Sequence, residues 1–291
     1  MHADELHTDV ALVRRLLAAQ FPEWAALPIE RISSSGTVNA LYRLGDDMVV
    51  RLPRMDWGVG AVERELRWLP RLAPHLPVKI SEPLAKGSPG EGYPWDWGVY
   101  RWLEGENPTV DSSATLARDM ARFVVRLHGV EPAGNPPEGR GRSLARFDET
   151  ARGALVALEG AVDTRAATAA WDESLRAPEW SGPPLWVHGD LMPGNLLVRD
   201  GGLVGVIDWG GFGVGDPACD LMVAWNLFRA GAREVFRSAV GVDEATWLRG
   251  RGWALWTGLA ALPYYVETNP VLAENACFRI GEVLADYAHG S

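Results

Sequence analysis

Apolar residues recur at helical spacing over positions 9–20 (Val10, Leu12, Val13, Leu16, Leu17), which predicts an amphipathic helix capped by Thr8 or Asp9. Short apolar runs then take over. Pro28–Ser34, Ala40–Leu44 and Met48–Leu52 read as strands, divided by turns at Ser35-Gly36-Thr37 and Gly45-Asp46-Asp47. The helical period returns over 60–72, where Pro70 should end or bend the helix, and Trp97–Leu103 reads as a further strand. Beyond Gly105 the pattern is mostly helical. Ser112 or Ser113 caps a helix reaching His128, a Pro- and Gly-rich loop fills 130–143, two helices lie within 144–176, and helix resumes from Ala218. Between these, 185–208 alternates apolar runs with turns. The pattern predicts an α+β chain with a small, mostly antiparallel β-sheet lobe over 1–104 and one helix inserted after its third strand. A larger, mainly helical lobe follows over 105–291, with a hinge near residue 104. No internal repeat is visible.

With 47% hydrophobic and 23% charged residues in 291, the composition is that of a globular protein rather than a disordered one. No apolar run approaches the ~20 residues of a membrane span, and the polar, acidic start has no secretory pattern, so a soluble, cytoplasmic protein is expected. Cys219 and Cys277 stand far apart with no CxxC pair, which disfavours a disulfide scaffold or a cysteine zinc site. Lys79 and Lys86 are the only lysines among 28 basic residues, so any grip on phosphate falls mostly to arginine. Residues 1–104 carry 14 acids and 12 bases, whereas 105–291 carry 24 and 16. That balance disfavours nucleic acid as a partner and would attract a cationic small molecule. Trp57, Trp95 and Trp97, near turns, could stack on a ligand ring or simply pack.

The densest chemistry lies in 186–220, WVHGDLMPGNLLVRDGGLVGVIDWGGFGVGDPACD. An apolar run delivers His188, Gly189 and Asp190 into a loop; Asn195 opens a second run, a turn at Asp200-Gly201-Gly202 reverses the chain, and a third run ends at Asp208. A hairpin of this design brings Asn195 and Asp208 to one end of two paired strands, with Asp190 beside them. Three oxygen-bearing side chains at one edge suit Mg²⁺ and phosphate.

The spacing H-x-D-x-x-x-x-N followed by D-x-G matches the catalytic loop and metal-binding Asp of protein kinases. HGDLMPGN with IDW and GDPACDL resembles, more closely, the aminoglycoside phosphotransferase family, and the likeness extends from about residue 25 to the end. It implies a bilobal protein-kinase-like fold and a Mg²⁺-dependent transfer of the γ-phosphate of ATP or GTP to a hydroxyl of a small molecule. Asp190 would be the catalytic base, Asn195 and Asp208 the metal ligands, and His188 a brace for the loop. Asp216 and Asp220 would bond backbone groups near the loop and cap the next helix. Arg51, where protein kinases have Lys, would grip the α/β-phosphates and pair with Glu65, or alternatively Glu63. Ser35, Gly36 and Thr37 would cover phosphates without a G-x-G-x-x-G, and Trp102 and Leu103 in the hinge would meet the purine. Met192 stands where the family often has His.

Only a short stretch separates Asp208 from Asp216 and no A-P-E element follows, so a protein substrate is not expected. The acceptor is expected to be small, with an aminoglycoside first and a macrolide, another antibiotic or a hydroxylated metabolite second; a third reading of the protein is a pseudokinase that binds nucleotide without turnover. Asp148, Glu149, Asp172, Glu267 and Glu274 are the acids a multi-amine acceptor would seek.

Overall fold

The computed structural model describes residues 6–32, 38–55, 60–110 and 113–290. Its first helix, α1 (Val10–Gln20), is capped by Asp9, whose side chain accepts from the Leu12 amide at 2.7 Å, and it buries Leu12, Val13, Leu16 and Leu17. The strands β1 (Ile29–Ile32), β2 (Asn39–Leu44), β3 (Met48–Pro53), β5 (Pro83–Gly87) and β6 (Trp97–Arg101) form one antiparallel sheet in the order β1-β2-β3-β6-β5. In β2 and β3 the burial alternates, as expected of strands with one face on a core. That core, with α1, holds Tyr42, Val50, Leu52, Tyr93, Trp97 and Val99.

The helix α2 (Ala61–Leu72) follows β3 as predicted, and it runs two residues past Pro70 before a single 3₁₀ turn. Its inner face, Trp68, Leu69 and Leu72, belongs to the larger core that includes the helical half of the chain. The two-residue strand β4 (Lys79–Ile80) also crosses over, pairing in parallel with β9 (Gly202–Val206), itself antiparallel to β8 (Leu196–Arg199). Neither β4 nor β5 was signalled by the pattern, because runs of two to five mixed residues carry little periodicity.

Helix α3 (Ala114–His128), capped by Ser113, is followed by the loop over 130–143. The predicted pair within 144–176 is α4 (Asp148–Ala157) and α5 (Thr164–Arg176). Strand β7 (Leu185–Val187) pairs antiparallel with β10 (Gly213–Gly215). A 3₁₀ segment over Pro217–Met222 leads to α6 (Val223–Asn226), α7 (Ala230–Val240), α8 (Glu244–Tyr265) and α9 (Pro270–Gly290). No helix among the described residues is long and apolar enough to cross a membrane.

Candidate active site

The hairpin of β8 and β9 does what its sequence predicts. Leu196 faces Val206 across the ladder, and the Ile207 amide donates to the Asn195 carbonyl at 2.9 Å, so Asn195 and Asp208 flank the same end. Asp208, two residues past the end of β9, has φ +58°, a left-handed conformation that Asp tolerates better than most residues. Its carboxylate lies 3.5 Å from Nη2 of Arg51 on β3, so the hairpin meets the five-stranded sheet at this point.

Asp190 lies on the loop after β7. Asn195 Nδ2 donates to its carbonyl at 2.8 Å and to its Oδ2 at 3.1 Å, while Arg140 Nη1 donates to Oδ1 at 2.6 Å. His188 braces this loop. Its Nδ1 accepts from the Asp190 amide at 3.2 Å, so Nε2 carries the proton and donates to the Ile207 carbonyl at 3.1 Å. Burial lowers the His188 pKa despite the nearby acids Asp220, Asp190 and Asp208, which favours this neutral form. Behind the loop, wholly buried Asp220 accepts from the amides of His188 (3.0 Å) and Gly189 (2.7 Å) and bonds His128 Nε2 (3.1 Å). Asp216 caps the 3₁₀ segment through the Ala218 amide. The two aspartates thus divide between them the bonding and capping expected of both.

Arg51 Nη1 lies 3.2 Å from Glu65 Oε2, and its guanidinium stacks over Tyr100 at 4.6 Å. Burial opposes the charge on Arg51, yet Glu65, Tyr100 and Asp208 outweigh it and hold the guanidinium protonated. Burial pushes the Glu65 carboxyl up from its usual value, with Arg51 working against the shift. Of the two possible partners in α2 the structure selects Glu65; Glu63 is exposed and lies 3.7 Å from Lys86.

In the hinge, the Trp102 amide donates to the Asp47 carbonyl at 2.7 Å and its ring lies under Arg43 at 4.0 Å, while Leu103 is buried. Ser35, Gly36, Thr37 and Trp57 lie outside the described residues. Trp97 is no ligand platform: it is fully buried, edge-on to Phe21. Asp148 and Asp172 are both bound by Arg152, at 2.9 and 2.8 Å, which leaves Glu149, Glu267 and Glu274 as the exposed acids of that set.

The donor set at the hairpin end fits Mg²⁺. Asp208 offers a carboxylate and Asn195 an amide oxygen, since its nitrogen is committed to Asp190; such an ion takes few protein ligands and fills its shell with phosphate oxygens and water.

Sequence reasoning missed Arg140, which sits in the loop over 130–143 and reaches Asp190 from fifty residues upstream. It also missed Arg279 on α9, buried behind the loop, whose Nη2 donates to the Met192 sulfur at 3.2 Å. The local signal for Arg140 was the Gly-Arg-Gly triplet; for Arg279 there was none beyond a basic residue in an apolar helix face.

An antiparallel sheet set over a helical region, with Asp190, Asn195, Asp208 and Arg51 meeting where they join, defines a kinase-like fold. The profile of the phosphotransferase enzyme family matches residues 29–253, and the chain belongs to that family. An uncharacterized protein of Bacillus subtilis (strain 168), YcbJ, is 25% identical over 234 residues, which is 78% of this chain and 66% of that protein. An aminoglycoside 3'-phosphotransferase of Escherichia coli is 31% identical over 121 residues, 40% of this chain and 44% of that enzyme. The chain therefore matches less than two thirds of the length of these relatives. Among solved structures, the GDP and kanamycin complex of APH(2")-IIia matches with TM-score 0.69 at 18% identity, covering 96% of this chain and 99% of that one. The macrolide 2'-phosphotransferase of Brachybacterium faecium matches with TM-score 0.60 at 24% identity, covering 94% and 97%. At these identities the likeness is one of fold.

Proposed function

We propose that this protein transfers the γ-phosphoryl group of ATP or GTP to a hydroxyl of a small molecule, with residues 1–104 as the nucleotide lobe and 105–291 as the catalytic and acceptor lobe. The observation that carries the reading is the meeting of Asp190, Asn195, Asp208 and Arg51 at one place, from three separate stretches of chain. Asp190 orients the acceptor hydroxyl and takes its proton as the oxygen–phosphorus bond forms and the bridging bond to the β-phosphate breaks. Asn195 and Asp208 would hold Mg²⁺, which supplies positive charge to the phosphate oxygens. Arg51, fixed by Glu65, binds the α/β-phosphates, and Trp102 and Leu103 line the purine end. Ser35, Gly36 and Thr37 are assigned to cover the phosphates on their sequence alone.

An aminoglycoside is the first acceptor class, in keeping with the acid excess of 105–291 and the activity named for the Escherichia coli relative. A neutral or singly charged acceptor, such as a macrolide, is the second reading, favoured by the loss of Asp148 and Asp172 to Arg152. The test is a phosphate-transfer screen across aminoglycosides, macrolides and simple hydroxy compounds, with Asp190→Ala alongside. Wild type should phosphorylate one class, and Asp190→Ala should lower kcat by at least ~100-fold while nucleotide still binds. Nucleotide binding with no transfer to any acceptor would make the protein a pseudokinase; transfer within a few-fold in Asp190→Ala would remove Asp190 as the base.

A further inference from the structure

The candidate base is clamped by a cation that no motif announced. Arg140 Nη1 donates to Asp190 Oδ1 at 2.6 Å, and among the described residues that is the bond its guanidinium makes. The side chain is 39% exposed and that of Asp190 31%, so the pair faces the cleft rather than the core.

The chain is shaped to bring Arg140 there. Residues 137–141 lie along the run from Gly211 to Asp216: Gly139 and Arg140 donate to the carbonyls of Val214 (2.9 Å) and Gly211 (3.0 Å). Val214 and Asp216 donate back to those of Pro137 and Gly141, both at 2.8 Å. A Cβ on Gly141 would meet the Asp216 carbonyl at 2.5 Å, so only glycine fits there, and one on Gly139 would press on the Gly213 backbone at 3.0 Å, so both glycines beside Arg140 allow the close approach. Opposite, Gly189 has φ +78°, and a Cβ there would lie 2.9 Å from the Arg140 Cβ. The glycine just before Asp190 is therefore also the surface over which the arginine stem passes.

We propose that Arg140 is a catalytic residue that bridges Asp190 and the γ-phosphoryl group during transfer; this rests on the phosphotransferase reading above. Asp190 and the nucleotide are both anionic, and phosphoryl transfer spreads charge over the three equatorial oxygens at the moment the acceptor arrives. A guanidinium held beside Asp190 has further N–H donors to offer those oxygens and relieves the repulsion between carboxylate and phosphate. Three other cations lie nearby, and each has a partner of its own: Arg64 donates to the Gly210 carbonyl at 3.2 Å, Arg51 is tied to Glu65 and Asp208, and Arg279 is buried against Met192 and Thr257. Two residues beyond Asp190, Met192 carries no charge, and its sulfur turns inward to Arg279 and Asn226.

The experiment compares calorimetric binding of Mg·ADP or Mg·GDP, whichever the wild-type chain binds more tightly, with and without aluminium fluoride, which mimics the phosphoryl group in flight. Arg140→Ala should weaken the fluoride complex by roughly 100-fold, the scale of one preorganised transition-state donor, and leave the plain diphosphate within about 3-fold. Arg140→Lys should recover part of the loss. Arg142→Ala, a neighbouring exposed arginine paired with Glu138, should match wild type. In turnover, kcat should fall with the nucleotide KM nearly unchanged. An equal loss for both complexes would make Arg140 merely structural, and no loss would remove it from the reaction; either overturns the proposal. Failure of the wild-type chain to bind either diphosphate would instead overturn the phosphotransferase reading on which it stands.

Discussion

Replacing Asp220 by Asn tests how the catalytic loop is held. The change is isosteric but exchanges one acceptor oxygen for an NH₂. Oδ1 accepts from the Gly189 amide, and Oδ2 accepts from the His188 amide while also meeting His128. The least costly amide orientation keeps the oxygen on the His188 side and points NH₂ at the Gly189 amide. Two donors then face each other in a fully buried place. Each unsatisfied buried donor costs about 1–3 kcal/mol, so with two of them Asp220→Asn should lose about 2–6 kcal/mol. That is a large part of the 5–15 kcal/mol typical of a folded protein. Urea unfolding followed by tryptophan fluorescence measures the loss, and amide hydrogen exchange locates it: His188 and Gly189 should lose protection before the strands of the five-stranded sheet. A loss under about 1 kcal/mol with both amides still protected would refute the claim that this carboxylate holds the loop.

Two further outcomes follow from the buried charges. Arg51→Met should cost about 3–5 kcal/mol, because Glu65 is left buried without its partner, and Arg51→Met with Glu65→Leu should regain most of it; nucleotide KM should stay raised at least ~10-fold in both, and a normal KM in the double variant would remove Arg51 from phosphate binding. His188 makes stability depend on pH in one direction: its pKa is lowered by folding, so above its ordinary value near 6.5 both states are neutral and the site is silent. Below that, the unfolded chain takes up a proton first and stability falls with pH, by at most about 1.4 kcal/mol per unit, until the folded pKa is passed. Urea unfolding between pH 5 and 7.5 should show this slope in wild type and a shallower one in His188→Gln; parallel curves would reject it.

The hairpin was legible because its signal is local. Asn195, the Asp200-Gly201-Gly202 turn and Asp208 stand close in sequence, and a two-strand ladder leaves little choice in how they meet. The choice between Glu63 and Glu65 was also present in the sequence. Glu65 lies on the same helical face as Val62, Trp68, Leu69 and Leu72, and that face is the buried one. For Trp97 the sequence left stacking and packing open, because closeness to a turn says nothing about which face of a strand a ring takes; β6 turns this one inward, where it packs. Arg140 was out of reach, because a loop rich in Pro and Gly reads as a connector, and here its glycines permit a close backbone approach between segments seventy residues apart.

The segment from Asp216 to Asn226 explains why the motif after the hairpin has its spacing. Asp216 receives Arg249 of α8 through two bonds, at 2.7 and 3.2 Å, which fixes the segment to the longest helix. Four residues on, Asp220 holds the amides that open the catalytic loop. Six further on, Asn226 donates to the Leu191 carbonyl at 2.9 Å and to the Met192 sulfur at 3.2 Å, holding the loop just beyond Asp190. Arg279 reinforces that second grip. Burial lowers its pKa to about 10, with Asp190 opposing, so it keeps its charge at neutral pH behind the loop. Asp190 is thus gripped from the core on both sides, and its outward face is left to Arg140, Asn195 and whatever enters the cleft. A residue proposed to take a proton gains from such a frame, because the ordering is done by folding rather than by binding. Because this frame is made by the segment 216–226, α8 and Arg279, side chains elsewhere around the cleft can vary without loosening Asp190.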